Sequence, residues 1–114
     1  MSAKEYAELS KILQGELADA ILRVTPDAAG AELFEQLFEP AIKAAEENDA
    51  PLYCGEYGVI DQAPAEDALR WQKDIHSVFE KYGIGRSLWN YKAKDFGFTD
   101  CRLDDVREEL TAAL

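Results

Sequence analysis

The stretch that most constrains this chain is Leu52-Tyr53-Cys54-Gly55-Glu56-Tyr57-Gly58-Val59-Ile60. It is a short apolar run with one carboxylate in its middle and glycines at positions 55 and 58. Its length and its β-favouring residues, Tyr53, Tyr57, Val59 and Ile60, predict a buried strand. Burying a carboxylate is costly unless it is paired or put to use. Regular strand alternation sets Leu52, Cys54 and Glu56 on one face. On that reading Glu56 sits among apolar neighbours, where desolvation raises a carboxyl pKa. The glycines let another backbone or a ligand approach closely. Two roles fit: a catalytic carboxylate at a strand end, or a Glu paired with a buried Arg or Lys.

Around this strand the chain alternates helix and strand signals. Tyr6, Leu9, Leu13, Leu17 and Ile21 recur at helical spacing, so a first amphipathic helix is expected over about 2–24. Thr25-Pro26-Asp27 is a stop. A second helix is expected from Ala31, with Leu33, Phe34, Leu37, Phe38, Ala41, Ile42 and Ala45 inward and with Pro40 kinking or splitting it. Pro64, Glu66 and Asp67 open a third helix that runs to about Tyr82 and stops at Gly83, burying Leu69, Ile75, Val78, Phe79 and Tyr82. A second strand-like run covers 84–91, a loop with Phe96 and Phe98 covers 92–100, and a last helix from Asp104 turns Val106, Leu110 and Leu114 inward.

The expected order is therefore helix, helix, strand, helix, strand, helix, an α/β fold. A helix of this length between two strands implies a parallel pair with a right-handed crossover. Two parallel strands alone leave open edges and an uncovered face. The pattern is that of part of a larger sheet, with residues 1–114 as one domain. Exposed strand edges are expected to pair with another copy or with a partner chain.

Composition narrows the function classes. The 114 residues carry 23 acidic and 12 basic side chains, a formal net charge of -11. That excess opposes nucleic acid and anionic membrane surfaces, so neither is an expected partner. No apolar run is long enough to span a bilayer. No signal-peptide pattern opens the chain, so a cytoplasmic location is expected. Cys54 and Cys101 make neither a disulfide framework nor a zinc site and are read as reduced and structural. No metal-ligand spacing is seen, and the pairs Glu46-Glu47 and Asp104-Asp105 read as solvated surface. His76 reads as a helix-surface residue and Trp71 as core. Asp95-Phe96-Gly97 imitates a kinase tripeptide without the loops that would accompany it.

Several motifs resemble a known family when taken together. They are Pro51 to Val59, then Arg70-Trp71 and Asp74-Ile75, then Lys81-Tyr82-Gly83-Ile84-Gly85, then Leu88-Trp89-Asn90-Tyr91-Lys92, then Asp95-Phe96-Gly97. Over about 31–114 the chain is similar to the C-terminal part of glycoside hydrolase family 5, the cellulase-like (β/α)₈ barrels. The resemblance implies a partial TIM barrel, in which 52–60 is the seventh strand and 84–91 the eighth. It sets the start of the chain near the end of the sixth strand. Glu56 falls on the family's nucleophile position and Trp89 on the aromatic that stacks against the sugar. Lys92, beside Trp89, is a candidate for contact with substrate hydroxyls. The implied reaction is retaining hydrolysis of β-glucosidic bonds, with a β-glucan or oligosaccharide as ligand and no cofactor. The family's acid/base Glu lies in an Asn-Glu pair, and this sequence has none; Asn48 is followed by Asp49. The earlier-strand Arg, His and Tyr of the family have no counterpart. The alternative is a non-catalytic carbohydrate-binding or assembly module, or an inactive fragment.

Overall fold

The computed structural model describes residues 29–114. The helix expected over 2–24 lies outside the described residues. The elements are α1 (Gly30–Glu47), β1 (Tyr53–Tyr57), α2 (Ala65–Tyr82), β2 (Gly85–Leu88), a 3₁₀ helix η1 (Cys101–Val106) and α3 (Arg107–Ala112). β1 and β2 pair in parallel as a two-stranded sheet. The ladder is extended at both ends by Gly85 N–H to Leu52 O (3.0 Å) and Trp89 N–H to Tyr57 O (2.7 Å).

α2 matches the pattern that predicts it. Pro64 stands at its N-cap, Glu66 and Asp67 lie in its first turn, and Gly83 closes it in the left-handed conformation, φ 62°. Its buried side is Ala68, Gln72, Ile75, Val78 and Phe79. Leu69 is only partly buried. Tyr82, expected inside, is exposed, because its hydroxyl bonds the Glu35 carboxylate at 3.0 Å on the outer side of α1 and α2.

Pro40 does not split α1, which runs unbroken through it. Phe34 and Phe38 before it and Ile42 after it all pack on one core. Pro40 itself is exposed, so the ring and the missing N–H fall on the solvent side. Tertiary packing on both sides of the proline holds the helix.

The main core joins Tyr57, Ile75, Phe79 and Ile84, with Phe34, Phe38, Ile42, Leu52, Cys54, Trp71 and Leu88 around them. Phe79 stacks on Phe38 (centroids 5.9 Å apart) and meets Tyr57 edge-on (5.0 Å). Trp71 meets Phe34 edge-on at 5.5 Å, as its core role predicts. A second cluster of Ala68, Leu103 and Leu110 packs at the N-terminal end of the same buried side of α2. The C-terminal segment begins as η1, and Leu114 is exposed while Ala113 is buried, which corrects the single inward-facing helix expected from Asp104.

His76 stays on the helical side of the sheet, where its Nδ1 accepts from Arg86 Nη2 at 3.1 Å. Cys54 is partly buried and Cys101 exposed, both as free thiols.

On the outer side of the helices, Lys81 Nζ donates to Glu35 Oε2 at 2.7 Å. That bond, with the Tyr82 hydroxyl, holds the Glu35 carboxyl below its usual range, and it raises Lys81. The depressed Glu35 contributes stability above its unfolded value, which is lost as pH falls through the folded one. The raised Lys81 contributes below its unfolded value and loses that contribution as pH rises through the folded one. The pair therefore helps only between these limits, and weakly, because it is exposed. In the Lys81→Met variant, the Glu35 titration followed by NMR is expected to move up toward the ordinary carboxylate value. An unmoved titration would show that Lys81 is not the cause.

Candidate functional site

The carboxylate strand does not keep a regular pleat. Tyr53 pairs with Gly85 and Cys54 with Arg86, but Tyr57, three residues on, pairs with Leu88, two residues on. One extra residue therefore lies in β1 between Cys54 and Tyr57, as in a β-bulge. The bulge changes which residues face the helices. Leu52, Cys54 and Tyr57 all join the core under the sheet, and Glu56 does not. The shared face expected for Leu52, Cys54 and Glu56 is thus corrected: Glu56 is exposed, on the side away from the helices. The apolar surroundings expected around it are absent for the same reason. Nor is it the buried half of an ion pair, since no described residue bonds its carboxylate.

β2 has the same two sides. Arg86 and Leu88 turn toward the helices: Arg86 Nη2 reaches His76 and Glu80, and Leu88 joins the core. Alternation then sets Gly85, Ser87 and Trp89 on the open face. The Tyr53 ring lies across Gly85 on that face, 64% exposed. The strands are shorter than expected, 53–57 and 85–88, and each ends just where its site residue stands. Because they are parallel, Glu56 and Trp89 arrive at the same C-terminal end.

The two strand ends are locked together. A Cβ on Gly58 would lie 2.1 Å from the Trp89 carbonyl oxygen, so only glycine permits this approach. The peptide between Trp89 and Asn90 is cis. Gly58→Ala must push the strand ends apart against the Trp89 N–H···O=C Tyr57 bond. A loss of about 1–3 kcal/mol is expected from the overpacking, read as a lower urea midpoint. An unchanged midpoint would mean that the ends are not locked at this point.

Trp89 is 42% exposed. The space beneath it, enclosed by Gly58, Leu88, Phe96, Phe98 and Leu103, amounts to about 20 Å³. That is too small for a ring-sized ligand, so the accessible side of the indole is the open face. A roomier cleft of about 400 Å³ lies at the other end of the strands, beside Ile42, Leu52 and Tyr82. Barrel enzymes hold their chemistry at the C-terminal end, not there. Lys92 is exposed on the loop after β2, and no hydrogen bond joins it to Glu56 or Trp89.

Sequence reasoning missed the residues that fix the two loops. Arg102 donates to Val59 O (3.2 Å) and Ala63 O (3.4 Å), holding the loop after β1. Arg107 donates to Phe98 O (2.8 Å) and Asp100 O (3.1 Å), holding the loop after β2. Asp61 N–H and Asp95 O join the loops directly. Both arginines sit in a stretch of mixed charge that reads as surface, and nothing in its spacing marks them.

Solved structures share this fold. A hyperthermophilic endo-β-1,4-glucanase in complex with substrate superposes with a TM-score of 0.62 at 26% identity, over 73% of this chain and 26% of that one. Thermotoga maritima Cel5A, solved with mannotriose, superposes with a TM-score of 0.62 at 23% identity, over 80% of this chain and 29% of that one. In sequence, Endoglucanase C of Acetivibrio thermocellus is 40% identical over 83 residues, 73% of this chain. The chain is a partial barrel of glycoside hydrolase family 5. Cellodextrinase A of Ruminococcus flavefaciens is 58% identical to the partial barrel over 53 residues, 46% of its length. The partial barrel spans 24% of the length of Endoglucanase C and 16% of Cellodextrinase A. No family model matches it.

Proposed function

We propose that the partial barrel carries the nucleophile and the sugar platform of a retaining β-glucan hydrolase. The observation that carries this is Glu56: an exposed carboxylate at the C-terminal end of its strand, with no cation holding it among the described residues. An unpaired carboxylate is free to attack. Beside it Trp89 offers an apolar surface suited to the C–H face of a pyranose. The endoglucanases and the cellodextrinase among its relatives support a β-glucan as the substrate class.

In the reaction the Glu56 carboxylate forms a bond to the anomeric carbon as the glycosidic C–O bond breaks. The leaving oxygen takes the bonding pair and a proton from a second carboxyl about 5–5.5 Å away. Water then cleaves the glycosyl ester and returns Glu56. This sequence has no Asn-Glu pair to supply the second carboxyl, so in this reading the proton donor comes from other strands of a barrel. Lys92 is assigned a contact with substrate hydroxyls.

The missing acid also favours a second reading, a carbohydrate-binding or assembly module without catalysis. One experiment separates the two. The purified chain is incubated with a 2-fluoro β-glucoside bearing a dinitrophenolate leaving group. That group departs without a proton, so the absent acid is not needed. A covalent sugar on the peptide containing Glu56, found by mass spectrometry, is expected. A folded chain that stays unlabelled would favour the non-catalytic reading.

A further inference from the structure

Tyr91 is the most exposed large apolar side chain among the described residues, at 76%. Its backbone is among the most firmly held in the loops. The Tyr91 carbonyl accepts from Thr99 N–H (2.9 Å) and from Thr99 Oγ1 (2.8 Å). One residue earlier, Asn90 O accepts from Phe98 N–H at 2.9 Å. Across the turn, Ala93 N–H donates to Asp100 Oδ1 at 3.1 Å. Arg107 then bonds the carbonyls of Phe98 and Asp100, so the returning strand of the loop is itself anchored to α3.

A ring displayed on a fixed backbone has little backbone entropy to lose when it stacks, which is how preorganised aromatic contacts gain affinity. Tyr91 stands two residues past Trp89, so their Cα atoms are at most about 7 Å apart. Both belong to the same end of the sheet as Glu56.

We infer that Tyr91 is a specificity residue, stacking on a sugar ring next to the one held by Trp89 and selecting longer β-glucan chains over disaccharides. This rests on the reading of Trp89 as a sugar platform. Tyr91 touches no reacting atom in this scheme. Its contribution is to the binding of added sugar units, so it bears on the ratio of affinities for long and short ligands.

The test is calorimetric binding of cellobiose and cellotetraose to the purified chain and to the Tyr91→Ala, Tyr91→Phe and Trp89→Ala variants. The original chain is expected to bind cellotetraose about five- to tenfold more tightly than cellobiose, the scale of one aromatic contact. Tyr91→Ala is expected to bring that ratio close to one, while Tyr91→Phe keeps it. Circular dichroism melts verify folding, and an exposed site such as this is expected to tolerate the change. A ratio unchanged by Tyr91→Ala overturns the inference. If Trp89→Ala still abolishes binding in that case, the platform reading stands alone. An equal loss for both sugars in Tyr91→Ala also overturns it, because the ring would then contact the first sugar. No binding of either sugar by the original chain overturns the platform reading together with the inference.

Discussion

Glu56→Gln is expected to remove covalent labelling by the 2-fluoro glucoside completely while leaving the fold intact. An amide oxygen cannot replace a carboxylate as the attacking group. Losing the nucleophile of a covalent mechanism costs on the order of a millionfold where it has been dissected. The structural side of the prediction follows from what Glu56 does not touch. It is exposed, and no described residue bonds its carboxylate. Exposed substitutions away from special features stay within about 0.5 kcal/mol. The urea midpoint of Glu56→Gln should therefore match that of the parent chain. Persistent labelling of the same peptide in Glu56→Gln would assign the nucleophile elsewhere. A collapsed fold would show that the carboxylate has a structural partner after all.

Phe79→Ala is expected to have the largest effect on stability, about 3–5 kcal/mol. Phe79 is 1% exposed and one of the two largest fully buried side chains among the described residues. Its ring stacks on Phe38 of α1, supports Tyr57 of β1 edge-on and lies under the Arg86 guanidinium of β2. Truncation would leave all three elements facing a hole. Against the ~5–15 kcal/mol of a typical domain, such a loss brings a chain of this size close to unfolding. The check is urea denaturation, with a large fall in midpoint at unchanged slope. A loss below about 1 kcal/mol would mean that this residue does not join the three elements. Because Tyr57 follows Glu56 directly, labelling should also slow in Phe79→Ala.

Some elements were legible because one local rule decided them. Pro64, Glu66, Asp67 and Gly83 bracket α2 with cap chemistry alone, and its length with flanking β-rich runs implied the parallel pair. The motifs put Glu56 and Trp89 at the ends of two strands, and the parallel pairing brings those ends together. Other features depend on contacts across the chain. Whether Pro40 breaks a helix is decided by Phe34, Phe38 and Ile42 finding one core. Tyr82 is drawn outward by Glu35, 47 residues away in sequence. Arg102 and Arg107 bond backbone carbonyls, which leave no trace in side-chain patterns. Regular alternation gives the wrong facing for Glu56, because the bulge in β1 shows only in its pairing with β2.

That bulge has a consequence for how much one strand can hold. In an unbroken pleat, adjacent residues belong to opposite sides, so no two neighbours can serve the same surface. Here Cys54 and Tyr57 both fall beneath the sheet, and Gly55 and Glu56 stand between them as consecutive residues released from the core. The nearest non-neighbouring atom to a side chain at position 55 would be Tyr53 Cε1, 3.8 Å away, so the space beside the carboxylate is open. The strand thereby leaves a bare stretch of backbone next to its acid.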